Sequence, residues 1–319
     1  DNVEISLLAN IEFAEEIQPA LAKGAVGVGL YRTEFLFLSQ ESEPDEQEQY
    51  EAFVEAIDML EGRPLTIRTL DLGADKFTQS RIAEPEPNPF LGCRSIRLCL
   101  QDLELFKTHL RAILRASAHG KLKVMFPLIT NMMELRQAKM ILSDVMEDLE
   151  DEGIDYDREL PVGIMIEVPS AALMAKVFTQ EVDFFSIGTN DLVQYTLAVD
   201  RSNERVANLY SSAHPSVLML IKDVIRAAKR RDVDVTCCGE MAGEVEFVML
   251  LIGMGLRKLS MTPQAIPEAK KLIRSISIKQ CERIARRAAS YDSERQVVNY
   301  LRAETKKIIP EAFDGRPVD

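Results

Sequence analysis

Arg32, Arg68, Glu167, Asn190, Asp191 and Cys238 each stand where a short apolar run gives way to polar or glycine residues, and together they suit chemistry on a small anion. Buried carboxylates and guanidiniums carry a heavy desolvation cost unless they are paired, coordinated or left open to solvent. Glu167 and Asp191 have no basic neighbour in sequence, which points to a hard divalent cation such as Mg²⁺, with structural salt bridges to the arginines as the alternative. Asn190 and Asp191 fall in GTNDLVQY, which reads as a helix start whose free N–H groups attract phosphate, although plain capping explains the same residues. Arg32, Arg68, Arg94 and Arg201 follow apolar runs or lie in loops near them, and arginine grips phosphate and carboxylate bidentately. In a chain of net charge −13, such a cluster suits a multiply charged small molecule, while each arginine alone also fits a surface ion pair. His109, His119 and His214 have no motif context and receive no catalytic role.

These residues need a frame. Eight short apolar segments recur, at 5–10, 27–35, 65–71, 121–129, 162–169, 183–192, 234–242 and 258–263. Helical sequence fills gaps such as 11–23, 47–60, 103–118, 132–150, 216–231 and 244–254. Eight alternating units predict an α/β fold of the (β/α)8 TIM-barrel type, with an open doubly wound sheet as the alternative. Two excursions, 36–46 and 72–100, follow the carboxyl ends of strands, where barrel enzymes build their sites. Residues 266–319 read as a helical C-terminal extension of the same domain.

Strand alternation then tests which side chains face inward. Ile164 and Ile166 suit the helix layer, leaving Met165 and Glu167 inside; Leu65 and Ile67 likewise leave Thr66 and Arg68 inside. Val233, Val235 and Cys237 form an apolar face in DVTCCGEMAG, so Thr236 and Cys238 point the other way. Arg32 shares parity with Val28 and Leu30, and only a bulge or the strand's end would place it at the mouth.

Composition bounds the rest. The 319 residues are 46% hydrophobic, and no run reaches the roughly 18–20 apolar residues of a membrane span. The opening residues lack the basic start of a signal peptide, so a soluble cytoplasmic protein is expected. Five cysteines without CxxC or zinc spacing are expected to be reduced. The acidic balance argues against non-specific binding to nucleic acid or an anionic membrane.

GLYRTEFLF, TLDLGADK, NPFLGCRSIR, GIMIEVPSA, FFSIGTNDLVQYTLAVDR and CGEMAG resemble, in order and spacing, the phosphoenolpyruvate-binding barrel of Enzyme I of the bacterial sugar phosphotransferase system, over roughly residues 5–275. The resemblance implies that the barrel binds phosphoenolpyruvate and Mg²⁺, forms a homodimer, and releases pyruvate. The phosphoryl group would pass to a histidine on a separate N-terminal domain, then to the carrier protein HPr. By motif match Glu167 and Asp191 would hold Mg²⁺, while Arg32, Arg68 and Arg201 would contact phosphate or carboxylate. Asn190, with Asp191 beside it, would bind the phosphoryl group; Arg94 would complete the anion site, and Lys76 would add a further contact. Cys238 would deliver a proton to enolpyruvate.

The family's phosphohistidine motif, a glycine-rich segment with a Ser-His pair, is missing from these residues. The expectation is therefore a single phosphoenolpyruvate-binding barrel that cannot complete the relay alone, either a piece of a longer protein or a stand-alone barrel. Glu244 and Ala74 stand where the family usually has Asp and Gly. The rivals are the matching barrel of pyruvate phosphate dikinase or phosphoenolpyruvate synthase, a Mg²⁺-dependent aldolase or citrate lyase, and a non-catalytic phosphoenolpyruvate sensor.

Overall fold

The computed structural model describes residues 1–38, 42–73 and 86–313. Eight parallel strands follow one another round a closed barrel: β1 (Ser6–Ile11), β2 (Val28–Arg32), β3 (Leu65–Arg68), β4 (Leu122–Phe126), β5 (Val162–Ile166), β6 (Phe184–Ile187), β7 (Asp234–Cys237) and β8 (Lys258–Met261). Register runs unbroken from β3 through β8 and back to β1. Seven strands end before the segments read from sequence do, whereas β1 runs one residue further, to Ile11. Two short helices were not expected: Glu34–Leu38 begins inside the second segment, and Ile96–Gln101 begins inside the 72–100 excursion and ends one residue past it.

The helices between strands start and stop where their ends can be satisfied. Asn131 accepts the Met133 and Glu134 N–H groups at the head of Met132–Glu152, Glu134 reaches back to the Asn131 N–H, and Gly153 closes the helix at φ 72°. Asp102 caps Leu103–Ser117 through the Leu105 N–H (3.0 Å). That helix buries Phe106 edge-on against Phe126 of β4, centroids 6.1 Å apart. Val245–Met254 is buried along nearly its whole length because Ile278–Ala288 covers its outer side; a Cβ on Gly253 would lie 2.1 Å from the Cys281 carbonyl oxygen. The segment after 265 is helical through Lys306, as Ile266–Arg274, Ile278–Ala288 and Glu294–Lys306.

Inside the barrel, Leu30, Met125, Met165, Phe184 and Cys238 form a small apolar layer. One cavity opens beyond it at the carboxyl ends of the strands, and another at the amino ends. Arg32 reaches the first of these by a bulge. Val28 pairs with Leu65 but Tyr31 pairs with Ile67, so β2 carries one extra residue beside Gly29. Gly29 fits because a Cβ there would lie 2.4 Å from Ser260 Oγ. Tyr31 then packs outward, edge-on to Phe53, while Leu30 and Arg32 line the cleft. Among the described residues no helix is long and apolar enough to cross a membrane, and all five cysteines are free thiols.

Candidate active site

A cleft of about 280 Å³ opens at the carboxyl ends of the strands. It brings together Arg32, Arg68, Arg94, Glu167, Asn190, Asp191, Arg201 and Cys238, which lie up to 206 positions apart in sequence. Lys76 and Ala74 lie outside the described residues.

Burial makes the charges interdependent. Arg68, at the end of β3, is 6% exposed and pairs with Glu34 and with Asp71 Oδ2 (3.0 Å). Arg94 meets the other oxygen of Asp71 (2.8 Å), Asp191 Oδ2 (3.3 Å) and the Tyr195 hydroxyl (3.3 Å). Burial opposes both guanidiniums, but Glu34 and Asp71 around Arg68, and Asp71 and Asp191 around Arg94, outweigh it and raise both above their ordinary values. Asp71 therefore bridges the two arginines, a role that sequence reading missed. Its signal was the three-residue step from Arg68 in IRTLD. Glu34 was missed too, because it sits in a segment that reads as strand. Gly73 makes the Arg94 contact possible: it lies at φ 108°, and a Cβ there would stand 2.6 Å from Arg94 Cβ.

Glu167 follows β5 and is 3% exposed. Its Oε1 accepts the Leu128 N–H (2.6 Å), and Leu128 itself holds a left-handed φ of 52°. Burial first, then the charges of Asp191 and Asp71, push the Glu167 carboxyl above the ordinary carboxylate range against the pull of Arg68 and Arg94. A carboxylate pair in this state favours a bound cation. Two carboxylates leave most of an octahedral shell to water and phosphate oxygens, which is how Mg²⁺ is commonly held. Among the described residues no group of three or more His, Cys, Asp or Glu gathers as a metal cage. The carboxylate oxygens of Glu167 and Asp191 are the hard donors such a cation takes.

The start of Thr189–Leu197 is capped by Gly188 without a side-chain bond, so plain capping does not account for Asn190 and Asp191. Asn190 Nδ2 donates to Glu240 Oε1 (2.9 Å), and the Glu240 N–H donates to Asn190 Oδ1 (2.9 Å). Arg201 Nη1 approaches the same carboxylate oxygen at 3.5 Å. Arg32, nearer solvent, pairs with Glu12 at 2.9 Å.

The adjacent thiols take opposite faces. Cys237 is fully buried in the main apolar core, whereas Cys238 is 2% exposed and lines the cleft. The Cys238 thiol donates to the Ile187 carbonyl (3.7 Å), and burial pushes it above its ordinary value, so it carries its proton at neutral pH. Asn10 Nδ2 holds the Cys238 carbonyl (2.8 Å), and Ser260 Oγ holds Asn10 Oδ1 (2.7 Å). None of the three histidines lines the cleft. His109 is buried against Gln49, with its Nδ1 2.7 Å from Oε1; His119 meets the Tyr50 hydroxyl, and His214 caps Pro215–Lys229.

Residues 1–278 match the family described as PEP-utilising enzyme, PEP-binding domain. A phosphoenolpyruvate-protein phosphotransferase from Staphylococcus aureus (strain MSSA476) is 44% identical over 301 residues, 94% of this chain and 53% of that protein. One from Priestia megaterium is 44% identical over 303 residues, 95% of this chain and 53% of that protein. The chain thus spans about half the length of these relatives. A citrate lyase structure from Burkholderia xenovorans LB400 superposes with a TM-score of 0.52 at 12% identity, covering 99% of this chain and 93% of that one, and shows a shared fold.

Proposed function

The chain belongs to the family of PEP-utilising enzymes through their PEP-binding domain, and from that premise we propose that its cleft binds phosphoenolpyruvate with Mg²⁺ and yields its phosphoryl group to a histidine on another domain. The observation that carries this reading is the buried chain Arg68–Asp71–Arg94–Asp191, set beside Glu167 and a protonated thiol in one cleft. Buried ion pairs of this kind are weak contributors to stability, so their retention calls for a functional reason.

Phosphoryl transfer is mostly positioning and charge neutralisation. Glu167 and Asp191 would hold Mg²⁺, which supplies charge for the phosphate and for the enolate oxygen. Arg68 and Arg94, locked by Asp71, would hold the substrate's anionic groups; Arg32, Arg201 and Asn190 would complete the cradle from the rim. The histidine nitrogen attacks phosphorus, the bond from phosphorus to the enol oxygen breaks, and its electron pair stays on that oxygen. The enolate collapses to the ketone as its methylene carbon takes the proton of Cys238. Pyruvate leaves, and the thiolate recovers a proton from water entering the open cleft. In the whole protein the phosphoryl group would pass on to HPr, and the same reading makes that protein a cytoplasmic homodimer.

Calorimetric titration with phosphoenolpyruvate tests the reading. Binding that needs Mg²⁺ and is lost in Glu167→Ala is the expected result; no binding, or binding indifferent to both, overturns it. A Mg²⁺-dependent lyase on the same barrel would not need the thiol, so methyl-proton exchange of pyruvate that depends on Cys238 separates the two.

A further inference from the structure

We infer that Glu240 is a positioning residue: it fixes the polarity of the Asn190 amide and tempers the charge of Arg201, setting how the cleft meets a phosphoryl group. This rests on the proposed function above and extends it to a residue to which no role has been attached.

The geometry is reciprocal. Asn190 Nδ2 donates to Glu240 Oε1 (2.9 Å), while the main-chain N–H of Glu240 donates to Asn190 Oδ1 (2.9 Å). An asparagine amide can turn over, exchanging its oxygen and nitrogen at little steric cost. Here the exchange would set N–H against N–H and oxygen against carboxylate oxygen, losing two hydrogen bonds at once. One orientation is therefore selected, and it keeps the second amide N–H as a donor in the cleft that both residues line. The turn carrying Glu240 is held close, because Gly239 is pressed onto the exit of the preceding strand, β6: a Cβ there would lie 1.9 Å from Thr189 Oγ1. On the Asn190 side, the Tyr210 hydroxyl donates to the Asn190 carbonyl (3.1 Å).

The same carboxylate also has a cost. Its Oε1 lies 3.5 Å from Arg201 Nη1, so part of that cation's field is already answered before an anion arrives. A carboxylate at the mouth also repels a phosphate directly. Orientation and charge can be separated by substitution, since glutamine keeps the acceptor oxygen and removes the charge, whereas alanine removes both.

The test titrates the Mg²⁺-loaded chain with phosphoenolpyruvate and, separately, with pyruvate, and records the ³¹P resonance of bound phosphoenolpyruvate. Glu240→Gln should bind phosphoenolpyruvate about threefold more tightly with an unmoved resonance, because a repulsive charge is gone and the amide is still held. Glu240→Ala should bind it about tenfold more weakly with a shifted resonance, while pyruvate, which has no phosphoryl group, changes less than about twofold. Equal losses for both ligands in Glu240→Ala, or weakening in Glu240→Gln to match alanine, would overturn the inference. An unchanged alanine variant would do the same. If the unsubstituted protein fails to bind phosphoenolpyruvate, the proposed function itself falls, a result distinct from any of these.

Discussion

The two ends of the barrel hold cavities of nearly equal size, about 280 Å³ at the carboxyl ends and about 300 Å³ at the amino ends, yet they treat charge in opposite ways. At the amino end one carboxylate, Asp234, sits between Lys258 and Lys123, the latter 3.6 Å away, and all three side chains are about a third exposed. Water screens that trio, so it adds little to stability and can be lost cheaply. At the carboxyl end Arg68, Arg94, Asp71, Glu167 and Asp191 are each less than a tenth exposed and lean on one another. Losing Arg68, Arg94 or Asp71 would take an ion-pair partner from a buried opposite charge. The contrast is what the proposed chemistry at the carboxyl end calls for, since a fold that needs only to close its barrel can use the first arrangement.

If the carboxyl end is the reacting end, its thiol should be chemically separable from the neighbouring thiol in the core. Cys238→Ala is expected to lower methyl-proton exchange of pyruvate by roughly 10²–10⁴-fold while phosphoenolpyruvate binding persists. Cys237→Ala should leave exchange intact and cost about 1 kcal/mol or slightly more in denaturant unfolding. Equal behaviour of the two variants would break the comparison at its root.

The buried network makes the next largest demand. Arg68→Ala leaves Glu34 and Asp71 without their shared cation and should cost about 3–5 kcal/mol, read from urea unfolding. A loss under about 1 kcal/mol would mean that water reaches these groups as freely as it reaches Asp234.

Acidity sharpens the contrast further. Burial and the charges of Asp191 and Asp71 raise the Glu167 carboxyl, so above the ordinary carboxylate range the unfolded chain has released a proton that the folded chain keeps. Stability of the metal-free protein should therefore fall as pH rises through that window, by up to about 1.4 kcal/mol per pH unit. Glu167→Gln should flatten the slope, and so should Mg²⁺ by stabilising the charged form. Thermal melts at several pH values with and without Mg²⁺ would show a rising slope instead if Glu167 were held as an ordinary paired carboxylate.

The smallest effect belongs to the amino end. Lys258→Ala should change stability by no more than about 1 kcal/mol and leave phosphoenolpyruvate binding untouched. A larger loss would show that this end is as tightly coupled as the other.

These regions were not equally legible in the sequence. Strand alternation alone puts Glu167, Arg68 and Cys238 on the inner face, because their strands are short, regular and apolar on one side. Arg32 needed the bulge beside Gly29, an event that a two-residue period cannot contain. Asp71 escaped because its partnership with Arg68 exists only once β3 ends and the chain folds back, and Arg94 joins them through the approach that Gly73 allows. Glu240 was equally silent, since its link to Asn190 spans 50 positions. Local pattern carries facing and period; contacts between the exits of different strands belong to the closed barrel.

Leu128 gives one of these contacts a different durability. The hydrogen bond that aims Glu167 comes from the main chain, on a backbone turned to positive φ, and the leucine side chain takes no part in it. Any residue but proline, which has no N–H, would keep that donor, while the buried leucine side chain and the positive φ set separate limits on what fits at 128. The aim of Glu167 and the packing at 128 are thus carried by different atoms of one residue: glycine, at ease with a positive φ, would keep the donor and give up only the buried side chain.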